Sequence, residues 1–180
     1  MTASGSTDVV KLFLMQSRKE LFGECWPRLR ATVEGLTEEQ LWWRPNDASN
    51  SIGNLLLHLS GNVRQWIVTS FNRVEDRRNR PAEFAEKAGG PAGEVLAKLG
   101  ATLDEAEAVF ARLTEEDLLA PMDIQGYHVT GLEAAYHVVA HFGMHYGQIL
   151  YIAKALEGKD LGFYRELNNT GRREEQSRHK

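Results

Sequence analysis

Apolar residues recur every three or four positions in four long segments, and this spacing constrains the fold more than any other feature. It matches one apolar face of an α-helix. The predicted helices run from a cap at Ser6 or Thr7 to about Val33, from Ser51 to about Phe71, from about 92 to 113, and from Thr130 to the C-terminal glycine Gly158. The period-2 alternation of strands is hard to find, so the sequence predicts an all-α fold.

The connection between the second and third predicted helices is unusually long. Residues 72–91 are polar and contain Pro81, Gly89, Gly90 and Pro91. A long connection can cross a helix bundle and let consecutive helices run parallel. A second connection, 121–129, is predicted to be an irregular or extended loop that contains His128.

Length and composition favour one domain and exclude several partners. The chain has 180 residues and a formal charge of -4, with dispersed basic residues that leave no footprint for nucleic acid. It has no membrane-length apolar run and no signal-peptide pattern at its start. A single cysteine, Cys25, fits a packed helix position in a reducing cytoplasm. We therefore predict a cytoplasmic domain over 1–170, no membrane partner, and a flexible charged tail over 171–180.

The fourth predicted helix carries three of the chain's six histidines, at four-residue intervals. Because a helix advances about 100° per residue, His141 and His145 project from one face, a turn apart. Val138 and Phe142 fall within the same arc as His145, so the pair is predicted to point toward the interior. His137 lies about 80° from His145 and is predicted to pack beside the pair rather than to share its ligand.

A buried helical H-x3-H pair is a candidate metal site, because two imidazoles a turn apart can reach one ion. The same spacing also occurs in hydrogen-bonded core pairs, and it supplies only two ligands. His58 is the predicted third ligand, since it lies at the edge of another apolar helical face. We therefore predict that His58, His141 and His145 hold one divalent metal ion.

Three neutral imidazoles would leave such an ion its full charge and at least one open coordination position. Water at that position could become a nucleophile, or a thiol could be deprotonated there. Imidazole suits several metals, of which we favour zinc or nickel. No general acid or base is evident, because Glu133 lies about 80° from His141. This disfavours water attack of the zinc-protease type, which needs a positioned carboxylate.

Three polar residues are candidates for supporting roles. Gln148 lies about 20° from His141, and Asn54 and Asn62 lie four residues either side of His58. Ligating imidazoles usually donate their second N–H to an oxygen, so these residues could orient ligands or substrate. Ordinary interhelical hydrogen bonding or surface exposure is an equally good explanation.

Together these motifs resemble the DinB/YfiT-like superfamily of bacterial metal-binding four-helix bundles. The resemblance spans about residues 7–157 and rests on LTEEQLWWRP at 36–45, SIGNLLLHL at 51–59 and the His137-x3-His141-x3-His145-x-Gly-Gln148 series. It implies an up-down-down-up bundle with a long crossover between the second and third helices. It also implies one divalent metal on His58, His141 and His145.

The resemblance further implies a homodimer and a function. The superfamily includes transferases and isomerases that use bacterial low-molecular-weight thiols, while many relatives are described only as metal-dependent hydrolases. Thiol-dependent S-transfer to a small-molecule substrate is therefore the favoured function. Hydrolysis by metal-activated water, and a non-catalytic, stress-associated metal-binding role, remain the alternatives.

Overall fold

A computed structural model describes residues 4–165, and four long helices make up most of that range. Helix α1 has three consecutive segments, Ser4–Arg18, Lys19–Cys25 and Trp26–Val33; α2 is Glu38–Trp42; α3 joins Ile52–Val63, Arg64–Thr69 and Ser70–Asn72; α4 is Arg80–Ala85; α5 is Ala92–Phe110; α6 is Glu115–Leu119; β1 is Pro121–Ile124; β2 is Tyr127–Thr130; and α7 is Gly131–Glu157. The predicted helical class is therefore correct, with one small sheet added. The predicted tail, 171–180, lies outside the described residues.

Side-chain caps begin the helices where the sequence places them. Thr37, Ser51 and Thr130 each form a capping box with the residue three positions later, so the free N–H groups of α2, α3 and α7 are partly satisfied. Gly158 follows α7 with a left-handed φ of 63°. Two predicted ends were wrong.

Helix α1 begins at Ser4 rather than at Ser6 or Thr7, and α5 ends at Phe110 rather than near 113. Residues of the cap type do not prevent a helix from extending further upstream. At the other boundary, Thr114 caps the following helix α6 and accepts a hydrogen bond from the Asp117 backbone.

The segment predicted as an irregular loop is a β-hairpin. Strands β1 and β2 pair in antiparallel register from Pro121 opposite Thr130 to Ile124 opposite Tyr127. Gln125 and Gly126 form the turn with φ of 56° and 83°, which is the geometry of two-residue hairpins. Each strand has only four residues, too few for a clear period-2 pattern.

The long connection before α5 is not wholly irregular either, because it contains α4. The Asn79 side chain caps this helix by accepting from the Ala82 N–H, and Pro81 lies in its first turn. Helix α4 packs on α3. The backbone carbonyls of Glu83 and Glu86 accept hydrogen bonds from the Asn54 side chain, which attaches the end of α4 to α3.

The middle segments of α1 and α3, Lys19–Cys25 and Arg64–Thr69, are π-helical. Such segments insert an extra residue in the turn and often occur at functional sites. In α3 the π-helical segment contains Gln65 and Trp66, which contact Arg78 and His137 respectively. The apolar spacing of the sequence did not indicate either segment.

One hydrophobic core lies among the long helices, with α3 against α5 and α7 and with α1 against both of these. Phe110 and Phe142 are among its largest fully buried side chains. Cys25 belongs to this core, as predicted, and burial raises the pKa of its thiol to about 12. None of the helices within 4–165 is both long and apolar enough to span a membrane.

Gly131→Ala is expected to lower the free energy of unfolding by about 1–3 kcal/mol, the range of overpacking substitutions. An added Cβ would collide with the backbone carbonyl of Asp117 in α6, and backbone atoms yield less easily than a flexible side chain. Urea unfolding measures the change. In the control Gly93→Ala in α5, the Cβ meets no described atom within 4 Å, so no loss is expected and the alanine should add up to about 0.5–1 kcal/mol. Similar losses in both variants would contradict the close approach of α6 and α7.

Candidate metal centre

The structure brings the three predicted ligands together. His58 comes from α3, and His141 and His145 come from α7. One ring nitrogen of each lies within 4.8 Å of the others. The Nε2 atom of His141 is 3.1 Å from that of His58 and 3.2 Å from that of His145. Two imidazoles bound tetrahedrally to zinc have ligand atoms about 3.3 Å apart, so this spacing fits one ion.

Hydrogen bonds orient two of the three rings. Nδ1 of His58 is 2.9 Å from Oε2 of Glu83, and Nδ1 of His145 is 2.7 Å from Oε1 of Gln148. These oxygens accept, which favours the tautomer with hydrogen on Nδ1 and the Nε2 lone pair facing the centre, although the donor Nη2 of Arg78 also lies 3.1 Å from Nδ1 of His58. Nδ1 of His141 is buried without a partner among residues 4–165. This donor set fits a divalent cation, which would offset the repulsion of converging lone pairs.

Burial favours the neutral form of the imidazoles on α7. It lowers the pKa of His141 to about 3, with further lowering by neighbouring His145, His58 and His137 and by Arg78. Burial also lowers the pKa of His145 and His137. A neutral imidazole is the form that binds metal, so no proton has to be displaced from His141 near neutral pH.

Sequence reasoning missed two residues of this site, Glu83 and Arg78, which come from the long connection. Nε of Arg78 lies 2.8 Å from Oε1 of Glu83, and its Nη2 lies 2.9 Å from Oε2. Burial alone would raise the pKa of Glu83, but hydrogen bonds from Arg78 and His58 hold that pKa below its usual value. The ionised Glu83 is therefore fixed between an arginine and a candidate ligand.

Gly61 makes room for this ion pair. It lies one turn after His58 on α3, and a Cβ there would collide with Oε1 of Glu83 and approach Nε of Arg78. The cap-type Asn79 before Pro81 could have indicated the short helix that carries Glu83. No local pattern tells where a connection of this length docks.

The supporting residues have different roles. Gln148 contacts His145 as described above, whereas Asn54 holds the backbone of the connection and accepts a hydrogen bond from Arg44 at 2.7 Å. Asn62 places Nδ2 3.3 Å from Nε2 of His137. The His137 ring stacks on Trp66, with centroids 4.0 Å apart. His137 thus packs beside the cluster, as predicted, and is outside the group of three.

A cavity of about 490 Å³ opens beside the cluster. His58 and His141 form part of its wall, so a ligand in the cavity can reach the candidate centre. The other lining residues are Asn62, Trp66, Arg78, Arg80, Gln125, Tyr127, Val129, Glu133 and His137. Its volume is in the range of small-molecule sites.

Two carboxylates lie closer to the cluster than the sequence predicted. Glu133 lines the cavity, and Glu83 contacts His58, although neither shares the inner face of the histidine helix. Both are already engaged: Glu83 binds Arg78 and His58, and Glu133 accepts from the backbone N–H and the hydroxyl of Thr130. Neither is an evident general base.

The fold and the cluster together define a mainly helical protein with a candidate three-histidine metal centre beside a cavity. The DinB superfamily profile matches residues 21–149. The chain therefore belongs to the DinB superfamily, as the sequence motifs suggested.

Two solved structures share this fold. A conserved protein from Enterococcus faecalis is 18% identical, with a TM-score of 0.64 over 88% of this chain and 99% of the other. A DinB-like protein from Bacillus cereus ATCC 10987 is 14% identical, with a TM-score of 0.61 over 82% of this chain and 93% of the other. No protein of curated function matches the sequence significantly.

Proposed function

We propose that this protein is a divalent-metal-dependent enzyme that activates a low-molecular-weight thiol for S-transfer to a small-molecule substrate. One observation carries the proposal: three imidazole Nε2 atoms converge beside a cavity that two of the rings help to form. His58, His141 and His145 would hold one ion, for which we propose zinc or nickel. When bound, it would supply Lewis acidity that lowers the pKa of a thiol or water.

The surrounding side chains favour a thiol over water as the nucleophile. Both oxygens of Glu83 are held by Arg78 and His58, and Glu133 caps α7. A free thiol has a pKa of about 8.5, whereas that of water is about 15.7, so a thiol needs far less help from a base. Glu83 and Gln148 would position the ligand rings, while Trp66 forms an apolar wall beside them.

Cobalt-loaded protein is expected to gain sulfur-to-metal charge-transfer absorption when a low-molecular-weight thiol is added. The reason is that a coordinated thiol is deprotonated and donates charge from sulfur. Titration with 2-mercaptoethanol, followed in the near ultraviolet, tests this. The matched control is the His141→Ala variant, which should show no such absorption.

The other functions correspond to other outcomes of this titration. An unchanged spectrum together with metal-dependent ester or amide hydrolysis would replace S-transfer with the hydrolase function. An unchanged spectrum without any hydrolysis would favour a non-catalytic, stress-associated metal-binding role. Cooperative unfolding on chelation alone would identify the metal as structural.

The homodimer that the resemblance implies has a candidate surface on α7. Four exposed side chains and two glycines share an arc of about 120° on the outer face of this helix. The side chains are Leu132, Tyr136, Met144 and Tyr151, and the glycines between them are Gly143 and Gly147. Small residues let two helices approach closely, and a face of one helix can pair with itself about a two-fold axis. We propose that a second copy of the chain covers this face. We also propose that the four long helices of each copy form an up-down-down-up bundle.

Tyr136→Glu is expected to shift the protein from dimer to monomer in sedimentation velocity, because it would bury a charge at the proposed contact. Leu119→Glu is the control, since Leu119 is also exposed but lies on α6. A wild-type protein that sediments as a monomer, or a dimer unaffected by Tyr136→Glu, would contradict this surface.

A further inference from the structure

The cavity beside the candidate metal centre contains one basic side chain whose charge is not balanced. Arg78 and Arg80 both line it. Arg78 is only 5% exposed and is paired with Glu83 through two contacts. Arg80 has no ion pair with any described residue, so its guanidinium is available to a ligand.

Contacts connect Arg80 to the metal-binding side of the cavity. Its guanidinium lies over the ring of Phe84, 4.9 Å from the centroid, and that ring is 4.7 Å from the ring of His58. Arg80 is also the first residue of α4. A cation there opposes the helix dipole, so the stability of this short helix does not explain the choice of residue.

Aromatic rings form another wall of the same cavity. Trp66 stacks on His137 with an interplanar angle of 28°, and the Tyr127 ring lies 6.3 Å from Trp66. Tyr127 is 62% exposed, although it belongs to a strand of the hairpin beside the cavity. Trp66 is only 4% exposed, and His137 is also stacked on His141 with centroids 5.2 Å apart, so Tyr127 offers the accessible flat surface on which a planar ligand can stack.

Two polar atoms of the cavity-lining residues have no partner within the described chain. They are the indole N–H of Trp66, which is 4% exposed, and the side-chain oxygen of Asn62, which is 3% exposed. Buried polar atoms in native proteins nearly always have a hydrogen-bond partner. Both atoms have almost no accessible surface, so they lie behind the wall, and the surface that a ligand would meet on this side is mainly aromatic.

The acidic residue of the cavity does not cancel Arg80. The carboxylate of Glu133 accepts hydrogen bonds from the N–H and the hydroxyl of Thr130, which holds it at the N-terminus of α7 and lowers its pKa. The helix dipole favours negative charge at that position. The Glu133 carboxylate is thus hydrogen-bonded at the start of α7, whereas Arg80 has no hydrogen-bond or ion-pair partner among the described residues.

We propose that this cavity binds a planar organic carboxylate, with Arg80 holding the carboxylate and the exposed ring of Tyr127 stacking on the flat body, beside the wall that Trp66 and His137 form. This proposal rests on the proposed function in one respect: the bound carboxylate would be the substrate or the thiol that reacts at the metal. Arginine suits the role because its planar fork donates two parallel hydrogen bonds to a carboxylate.

Calorimetric titration with benzoate and with its neutral analogue benzamide tests the proposal on metal-loaded protein. Benzoate should bind at least about tenfold more tightly, since a hydrogen bond to a charged carboxylate is stronger than one to a neutral amide. Arg80→Gln should remove this preference. Arg77→Gln is the control, because Arg77 is exposed, pairs with Glu75 and does not line this cavity, and it should keep the preference.

Three results would overturn the assignment: no binding of benzoate, equal affinity for the two probes, or a preference that survives in Arg80→Gln. The last would show that another group, such as the metal itself, holds the carboxylate. Cobalt absorption with the neutral 2-mercaptoethanol separates this test from that of the proposed function. If the charge-transfer absorption persists in Arg80→Gln, the thiol site is intact in that variant. If the wild-type protein shows no such absorption, S-transfer is contradicted, but the benzoate result still stands.

Discussion

His141→Ala is expected to reduce the metal content from about one ion per chain to near zero, because a structural or catalytic site of this type rarely survives on two ligands. His58→Ala and His145→Ala should do the same, since their Nε2 atoms complete the group. His137→Ala is the matched control and should keep most of the metal. Elemental analysis of protein purified without an affinity tag measures the content.

Circular dichroism of the same variants separates ligand loss from unfolding. The core formed by the long helices contains its own fully buried side chains, so we expect each variant to stay helical at room temperature. Near-normal metal content in any one of the three ligand variants would remove that residue from the site. Metal loss in His137→Ala without loss of helicity would add a fourth ligand.

Glu83→Gln is expected to weaken metal binding by about 10–100-fold, the usual effect of removing the partner of a ligating histidine. Glutamine keeps the size of the side chain but loses the charge that holds the N–H of His58 and pairs with Arg78. Competition with a chelator measures the affinity, and the visible spectrum of cobalt-loaded protein reports ligand geometry. If Glu83 only stabilised the fold, the visible spectrum of cobalt-loaded Glu83→Gln would be the same as that of the wild type.

Two further variants sharpen this experiment. Gly61→Ala should weaken metal binding in the same direction, since its Cβ would displace the Glu83 carboxylate without altering it chemically. Glu105→Gln is the control, because Glu105 also pairs with an arginine of α3, Arg64, but on an exposed surface. Unchanged metal affinity in both Glu83→Gln and Gly61→Ala would show that His58 needs no partner at Nδ1.

Local sequence was sufficient to predict the long helices and the three clustered histidines. Capping boxes act over three residues and helical faces over one or two turns, so both can be recognised without tertiary information. His141 and His145 share a helix, and helix geometry alone places their rings a turn apart. His58 could be inferred because it lies at the edge of an apolar face that has to enter the core.

Other features depended on contacts that are distant in sequence. The hairpin was missed because its strands of four residues are too short to show alternation, although the left-handed Gln125 and Gly126 close it. The π-helical segments of α1 and α3 change the register of a face without changing its apolar content. Asn54 was expected near the ligands or on an ordinary interhelical contact, and it is used to hold the connection to α3.

The sequence by itself determined the helical class, the capped starts of α2, α3 and α7, and the pairing of His141 with His145, because each follows from spacing within one element. Only the tertiary structure decided that Glu83 meets His58, and that Arg80 and the aromatic rings share a cavity with His58 and His141. The physical reason is the long connection. Its docking is set by a buried ion pair and by the space at Gly61, and these form only when helices far apart in sequence have packed.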